Sequence, residues 1–189
     1  MTSFTVELEG NAEELARVLR DYGEEIFDTA KTRAINKTME QGRTQIRREV
    51  SRAVGVPIKL LDRRIRLHRA NKRRSEARLF IGTVPVAVAE GEKYQKYKSL
   101  KRGGVSYSGP GGRVRRKDAF VATMPSGHTG VFTRRGKARI PIDKVSIPIS
   151  AAARRAAHMY MNNVVPQKFP QLLDHELQFR TKRAFERIY

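Results

Sequence analysis

The chain has 189 residues, with 39 Lys and Arg against 19 Asp and Glu, which gives a formal net charge of +20. Self-repulsion of this size destabilises an isolated compact state and indicates an anionic partner: nucleic acid, an acidic protein surface or an anionic membrane. There is no cysteine, which excludes disulfides and thiolate sites. There is no apolar run of about 18 residues, so no membrane-spanning helix is expected, and the first residues do not show the pattern of a secretory signal.

The N-terminal part of the chain predicts a short strand followed by a long helix. Residues 3–8 alternate apolar and polar side chains, the pattern of a strand. From residue 12 to about residue 54, apolar residues recur at spacings of three and four, the pattern of a helix. Gly23 and Gly42 would each weaken this helix by about 1 kcal/mol relative to alanine, so one long helix and two shorter ones both fit the pattern. A continuous helix would need a partner along its length.

The residues after the long helix predict a short helix and two strands. Pro57 suits the first turn of a helix that runs to about residue 64. Residues 63–70 alternate apolar with basic side chains, and residues 78–89 are mostly apolar, so both predict strands, separated by a basic turn at residues 71–75. Pro85 restricts the second strand to a sheet edge or a bulge.

Two stretches of contrasting composition follow. Residues 99–117 are rich in glycine and in Lys and Arg, and this composition predicts a flexible basic loop. We expect such a loop to order only on assembly. Residues 118–149 show the densest period-two alternation in the chain and predict a β-hairpin core. Its turns are expected at residues 126–130 and at residues 135–137, where several cations cluster.

The C-terminal part predicts two helices. An alanine-rich helix begins at about Ser150, Pro166 and Pro170 bracket a kink, and a final helix follows. Together the elements predict an α+β fold: a small antiparallel β-sheet with a long N-terminal helix and C-terminal helices packed on it or projecting from it. We expect a single domain over residues 1–189. Its successive parts are 1–56 (strand and long helix), 57–98 (short helix and strands), 99–117 (flexible basic loop), 118–149 (β-hairpin core) and 150–189 (C-terminal helices).

No pattern of residues predicts a catalytic site, a metal site or a cofactor. No two of the four histidines are spaced four apart, and without cysteine zinc is not expected. The histidines are His68, His128, His158 and His175. An enzyme such as a nuclease needs clustered carboxylates. It stays an alternative only if folding brings together Asp118, Asp143 and Asp174, which are isolated in the sequence.

One serine and one histidine lie close together in the predicted hairpin. Ser126 and His128 are too near along the chain to form a catalytic pair, and no G-x-S-x-G elbow surrounds the serine. A tight turn with Gly127 or Gly130 at positive φ is the better interpretation. The glycine-rich run at residues 109–117 lacks the Walker pattern of a phosphate-binding loop.

The basic residues are the candidates for contact with a partner. Residues 47–66 resemble a helix-turn-helix, but the second element is short and runs directly into a strand, so non-specific phosphate contact is favoured over sequence-specific DNA reading. Candidate contacts to a partner or to DNA lie on one side of the long helix, in the basic loop and at the second turn of the hairpin. They are Arg43, Arg47, Arg48, Arg52, Lys101, Arg102, Arg113, Arg115, Arg116, Lys117, Arg134, Arg135, Lys137 and Arg139. For the helix, a solvated face is the alternative.

The order of several motifs is similar to that of a known family. The long helix carries AINKT and REV, and GVPIKLLDRR follows it. Then come FVATMPSGHTGVFTR at Phe120–Arg134 and RIPI at Arg139–Ile142. This order resembles the minor tail protein Z family of long-tailed bacteriophages and prophages, over the part of the chain from Ala34 to Ser150. The S-G-H-x-G-V-F-x-R block is its most specific motif.

The resemblance implies a structural virion protein that is not an enzyme and has no catalytic residue or cofactor. It implies tail completion at the head-proximal end, or neck, of the tail and a part in head–tail joining. The expected partners are further copies of the chain in a ring, expected to be hexameric, the tail terminator and tail tube proteins, the head–tail connector proteins and the end of the packaged DNA. Assembly is expected in the cytoplasm of the bacterial host.

The positive charge also leaves an alternative function open. A free non-specific nucleic-acid-binding protein, of ribosomal or nucleoid type, would show the same excess of Lys and Arg. If the chain belongs to this family, the turn at residues 134–139 is expected to contact either a neighbouring subunit or the DNA in the channel. The sequence does not decide between these two partners.

Overall fold

A computed structural model describes the backbone of residues 9–89 and 97–188 and the side chains of residues 23–89 and 97–183. The helices are α1 (Glu9–Val54), α2 (Ile58–Leu61), α3 (Ser150–Met159) and α4 (Val165–Ile188), and a π-helical turn at Tyr160–Val164 joins the last two. The strands are β1 (Ile65–His68), β2 (Arg78–Ile81), β3 (Val86–Ala87), β4 (Tyr97–Ser99), β5 (Val105–Gly109), β6 (Gly112–Arg116), β7 (Ala119–Thr123), β8 (Thr129–Arg134), β9 (Ile142–Lys144) and β10 (Ser146–Ile147). These elements confirm the predicted α+β fold class. The strand predicted at residues 3–8 lies outside the described residues.

The N-terminal helical pattern forms one continuous helix of 46 residues, so the interpretation as a single long helix is confirmed. Gly23 is exposed, and a Cβ there would meet nothing within 4 Å. Gly42 is buried, and a Cβ there would collide with the ring of Tyr160, which is itself only 2% exposed. The second glycine is therefore required by packing, although it weakens the isolated helix.

The described residues group into two compact units. The helical unit takes in α1 up to Thr38, the turn Arg69–Ala77 and α4 from Gln167. The sheet unit takes in Met39–His68 and Arg78–Pro166. The single domain expected over the whole chain stays a prediction.

The strands of the sheet unit form small antiparallel sheets. Within the described ranges, β1 pairs with β2, β3 with β10, β5 with both β4 and β6, and β8 with both β7 and β9. One hydrophobic core is shared by α1, α2, the strands other than β9, α3 and the π-helical turn. Its largest fully buried side chains include Tyr160, Ile46, Leu61, Ile65, Ile147 and Ile149. Because two-stranded ribbons are marginally stable in water, these sheets depend on the shared core.

Residues 99–117 are not a flexible loop, and that prediction is wrong. They form most of the sheet β4-β5-β6, in which Tyr107 lies opposite Tyr97 on one side and Val114 on the other. Val105 and Tyr107 are buried in the core. The glycines that suggested flexibility lie in the two turns of this sheet. Those with positive φ are Gly103, Gly104, Gly111 and Gly112, in a conformation that glycine adopts without steric cost.

Two elements after α1 are shorter than predicted. Helix α2 ends at Leu61 rather than at residue 64, because a turn in which Arg64 N donates to Leu61 O leads into β1. The strand expected at residues 78–89 divides into β2 and β3. Pro85, which has no N–H to donate to a sheet, lies in the gap between them, so the prediction of one edge or bulged strand here is wrong.

The C-terminal helices are joined by the π-helical turn and not by a kink between two prolines. Pro166 has no N–H to donate to the carbonyl of Asn162, and its ring crowds that carbonyl. This accounts for a wider turn immediately before the proline. Helix α4 then continues through Pro170. The distortion therefore precedes both prolines, and the prediction of a kink between them is wrong.

Side chains of α1 hold the other two segments of the helical unit. The amide of Asn36 donates to Ala70 O at 3.0 Å and accepts from Ala70 N at 2.8 Å, which fastens the turn at residues 69–77. Lys37 Nζ lies 2.5 Å from Oε1 of Glu176 on α4. These polar contacts link segments that are far apart in the sequence.

Glu176 is a buried carboxylate, 3% exposed, that keeps its charge through its neighbours. Burial alone would raise the pKa of Glu176, but the hydrogen bond from Lys37 and the charges of Lys37, Arg180 and Arg33 outweigh it, and its pKa lies below the ordinary value. Arg180 Nε is 3.6 Å from Oε2, an ion pair without a hydrogen bond. A buried charge left without such partners would be strongly destabilising.

We expect Gly42→Ala to lower the free energy of unfolding by about 1–3 kcal/mol, because the new methyl group overpacks the ring of Tyr160. The matched control is Gly23→Ala in the same helix, which should raise it by up to about 1 kcal/mol through higher helix propensity. Urea denaturation of both variants measures the difference. Equal stabilisation by both substitutions would show that Tyr160 does not constrain position 42.

We expect Glu176→Gln to lower the free energy of unfolding by about 1–3 kcal/mol, because Lys37 and Arg180 lose their anion. Since the folded pKa of Glu176 is lowered, this contribution is complete above the ordinary pKa of glutamate and disappears as the pH falls through the folded pKa. Urea denaturation across that range should show the parent and the variant converging at acid pH.

The control for this prediction is Glu25→Gln, which removes a carboxylate whose ion pair with Lys72 is exposed on both sides. An exposed pair contributes about 0–1 kcal/mol, so this variant should stay close to the parent at every pH. If the difference in the free energy of unfolding between the parent and Glu176→Gln were the same at acid pH as at neutral pH, a role for the Glu176 charge would be contradicted.

Candidate interaction surfaces

The arginines on α1 mostly serve the fold of the sheet unit. Arg43 Nε donates to Ile65 O at 3.0 Å, and the guanidinium of Arg47 pairs with Asp62. Arg52 Nη1 lies 2.8 Å from Glu49 one turn away. Arg48 is exposed and has no ion pair among the described residues. The expected stripe of free cations is therefore reduced to one side chain, although contact of the four with a partner stays a prediction.

The sheet β4-β5-β6 has one apolar and one basic face. Side chains alternate between the faces of a strand, and residues opposite each other share a face. The apolar face carries Tyr97, Val105, Tyr107 and Val114, which belong to the core or pack against it. The other face, which we call the cationic sheet face, carries Lys98, Ser106, Ser108, Arg113 and Arg115.

The register brings the cations of this face around one serine. Ser106 on β5 lies opposite both Lys98 on β4 and Arg115 on β6, and Ser108 lies opposite Arg113. Ser106 is 2% exposed, and its hydroxyl accepts a hydrogen bond from Arg113 Nε at 3.2 Å. The three basic side chains are exposed. The sheet therefore places three cations beside two small hydroxyl groups.

Further basic residues lie in the turns at the ends of this sheet. Lys101, Arg102 and Lys117 are exposed and have no ion pair within the described ranges. Arg116 instead binds Asp118 through two hydrogen bonds of 2.8 and 3.3 Å. The hydrogen bonds from Arg116 hold the pKa of Asp118 below its ordinary value. The charge of Arg116 is thus balanced locally.

The connection between β8 and β9, residues 135–141, forms a second surface that we call the hairpin tip. Arg135 donates to both carboxylate oxygens of Asp143 at 2.9 Å, which lowers the pKa of that carboxyl. Arg134 lies over the ring of Phe120, 5.0 Å from its centroid, and donates to Arg139 O at 2.8 Å. These contacts brace the connection on both sides.

The braced connection presents cations together with one apolar side chain. Lys137 and Arg139 are exposed, and neither side chain has an ion pair among the described residues. Ile140, 74% exposed, lies beside them. The peptide bond that follows, to Pro141, is cis. The hairpin tip thus combines an apolar anchor with a basic rim.

The serine and histidine of the first hairpin turn have a structural role. Met124 N donates to His128 O at 2.9 Å, Gly127 N donates to Met124 O at 2.8 Å, and Gly127 has a φ of 77°. The predicted tight turn is confirmed, with Gly127 at positive φ. Among the described residues, the polar side-chain neighbour of His128 is Lys144, at 3.5 Å, and not Ser126.

The described residues offer no cluster of metal ligands: no group of three or more His, Asp or Glu side chains is placed to hold a metal ion. The carboxylates considered for a nuclease each have another partner. Asp118 binds Arg116, Asp143 binds Arg135, and Asp174 accepts from the amide of Gln178 at 2.9 Å. In the part of the chain that the structure describes, no helix is long and apolar enough to cross a membrane.

Sequence reasoning missed part of both surfaces. The candidate contacts do not include Lys98, Ser106 or Ser108, because the composition of residues 99–117 predicts a loop and not the paired strands that bring these side chains to one face. The signal that could have found them is the alternation of the two serines with Val105 and Tyr107, a period of two between glycine-containing turns. Ile140, which follows the turn expected at residues 135–137, lies outside β9 and is exposed.

The fold and its surfaces define a basic α+β protein suited to contact with other macromolecules. The family model of the prophage minor tail protein Z (GPZ) matches residues 10–187, so the chain belongs to this family, as the resemblance in the sequence predicted. The protein is therefore a structural component of a phage tail and of the virion. No curated protein and no solved structure matches the chain.

We expect Arg135→Gln to raise the pKa of Asp143 toward the ordinary value of an aspartate, because two hydrogen bonds and a neighbouring charge are lost. Carboxyl carbon NMR across an acid titration measures this pKa. The control Lys137→Gln removes the same charge from the same connection and should leave the pKa of Asp143 nearer that of the parent. Equal shifts in both variants would contradict a specific Arg135–Asp143 contact.

Proposed function

We propose that the protein completes the head-proximal end of the tail and takes part in joining heads to tails near the DNA channel. In this proposal several copies form a ring, six-fold in symmetry, at the neck, next to the tail terminator, the tail tube and the head–tail connector proteins. The ring assembles in the cytoplasm of the bacterial host. Membership in a family of phage tail proteins supports the tail itself as the place of action.

The hairpin tip is the observation that carries this proposal. A braced connection loses little conformational freedom on binding, which favours its use as a contact. The exposed Ile140 lies between cations, so it would fit an apolar pocket with an acidic rim. Pockets of this kind occur in protein–protein interfaces. We therefore assign the tip to a neighbouring protein of the neck, either another copy of the chain or a tail terminator or connector protein, rather than to DNA.

The remaining exposed cations extend the proposed contacts. Arg48 on α1 and the turn residues Lys101, Arg102 and Lys117 carry charge that no ion pair balances within the described residues. Rim charges of this kind steer association and set specificity more than they add affinity. The free nucleic-acid-binding protein, considered from charge alone, has no further support, because the chain belongs to a family of tail proteins.

Ile140→Asp tests the tip, because it replaces an apolar anchor by a charge of the same sign as the proposed acidic partner. A phage that lacks this gene is complemented with the variant, and infectious titre and electron microscopy are recorded. We expect the contact to weaken about tenfold or more and the titre to fall with it, with unjoined heads and tails in the lysate. Circular dichroism should match that of the parent.

The matched control is Val84→Asp, which changes another apolar side chain of the sheet unit that is 67% exposed. We expect it to leave the titre unchanged. A normal titre for Ile140→Asp would remove the hairpin tip as the contact. Gold labelling of the protein along the tail instead of at its head-proximal end would overturn the proposed place at the neck.

A further inference from the structure

The cationic sheet face, Lys98, Ser106, Ser108, Arg113 and Arg115, differs in chemistry from the hairpin tip. It carries cations and hydroxyl groups, while the apolar side chains of the same strands face the core. The sequence from residue 97 to residue 117 contains no Asp or Glu. The next carboxylate along the chain, Asp118, is occupied by Arg116. The positive charge of this face is therefore not neutralised by its own segment.

The face is also held in a fixed arrangement. Arg113 uses its Nε on the Ser106 hydroxyl, so its Nη atoms, which have no partner among the described residues, remain for a ligand. Neighbouring strands lie about 4.8 Å apart, which puts the Cα atoms of Lys98 and Arg115 about 10 Å from each other. This exceeds the Debye length of about 8 Å at physiological salt, so screening limits the repulsion between these exposed charges.

We propose that the cationic sheet face binds the phosphodiester backbone of double-stranded nucleic acid. Guanidinium forks and an ammonium group are side-chain groups that contact phosphate oxygens. The face carries no aromatic side chain on which an unpaired base could stack, which disfavours a single strand. It carries no apolar anchor, which disfavours a protein. The proposal goes beyond head–tail joining and does not depend on it.

Binding to backbone phosphates predicts a defined salt dependence. The logarithm of the association constant falls with the logarithm of the salt concentration with a slope of about 0.9 for each phosphate neutralised. Each cation that contacts a phosphate therefore contributes about 0.9 to the slope, independently of the base sequence. A protein-binding surface would leave the duplex slope unaffected by the loss of these cations.

Arg113→Gln/Arg115→Gln tests the proposal in the full-length purified protein. Binding to a fluorescein-labelled duplex of about 20 base pairs and mixed sequence is followed by anisotropy between about 50 and 200 mM NaCl. We expect the slope to decrease by about 2, and by about 1 for Lys98→Gln. The control is Arg154→Gln/Arg155→Gln, which removes the same charge from exposed positions on α3. Its slope should stay near that of the parent.

Three results would overturn the proposal. The first is an unchanged salt slope for Arg113→Gln/Arg115→Gln. The second is an equal decrease of the slope for the α3 control, which would show that duplex binding depends only on the net charge of the protein. The third is intact duplex binding together with lost binding to purified tails, which would assign the face to an acidic protein. Because the assay uses only protein and DNA, its failure leaves the head–tail joining test at Ile140 untouched.

Discussion

The sheet unit depends on the close approach of Gly42 on α1 to the ring of Tyr160. The ring lies in the π-helical turn and is buried, and the position of that turn follows from the missing N–H and the ring of Pro166. Burial also raises the pKa of the Tyr160 hydroxyl. Ile46 and Val50 follow Gly42 at helical spacing and continue the contact into the core. Small sheets that cannot stand alone obtain their stability from this core.

The net charge of the chain is accommodated by dividing the cations between two tasks. Some cations form ion pairs within the fold: Arg47 binds Asp62, Arg116 binds Asp118 and Arg135 binds Asp143. Exposed ion pairs contribute little free energy, so their effect is to position the segments that they join. The remaining cations collect on exposed surfaces. Those of the cationic sheet face stand beside serines, and those of the hairpin tip stand beside Ile140, which is why we assign the two surfaces to different partners.

Much of the fold was predictable, because its signals are local. The long helix follows from apolar residues at spacings of three and four, and the turn at Gly127 follows from glycine between alternating strands. The family also follows from the motif order around residues 120–134. The sheet at residues 97–116 was not predicted, because its turn glycines and small serines resemble a flexible linker in composition, and only the buried Val105 and Tyr107 distinguish it.

The sequence by itself determined the fold class and the family, because periodicity and motif order are properties of the chain. Only the tertiary structure decided which cations remain available. The sequence predicts a basic surface that includes Arg43, Arg47 and Arg116. In the fold, each of these side chains instead binds a neighbouring group. Pairing between strands set Lys98, Ser106 and Arg115 side by side. Such neighbours depend on register and packing, which no local pattern specifies.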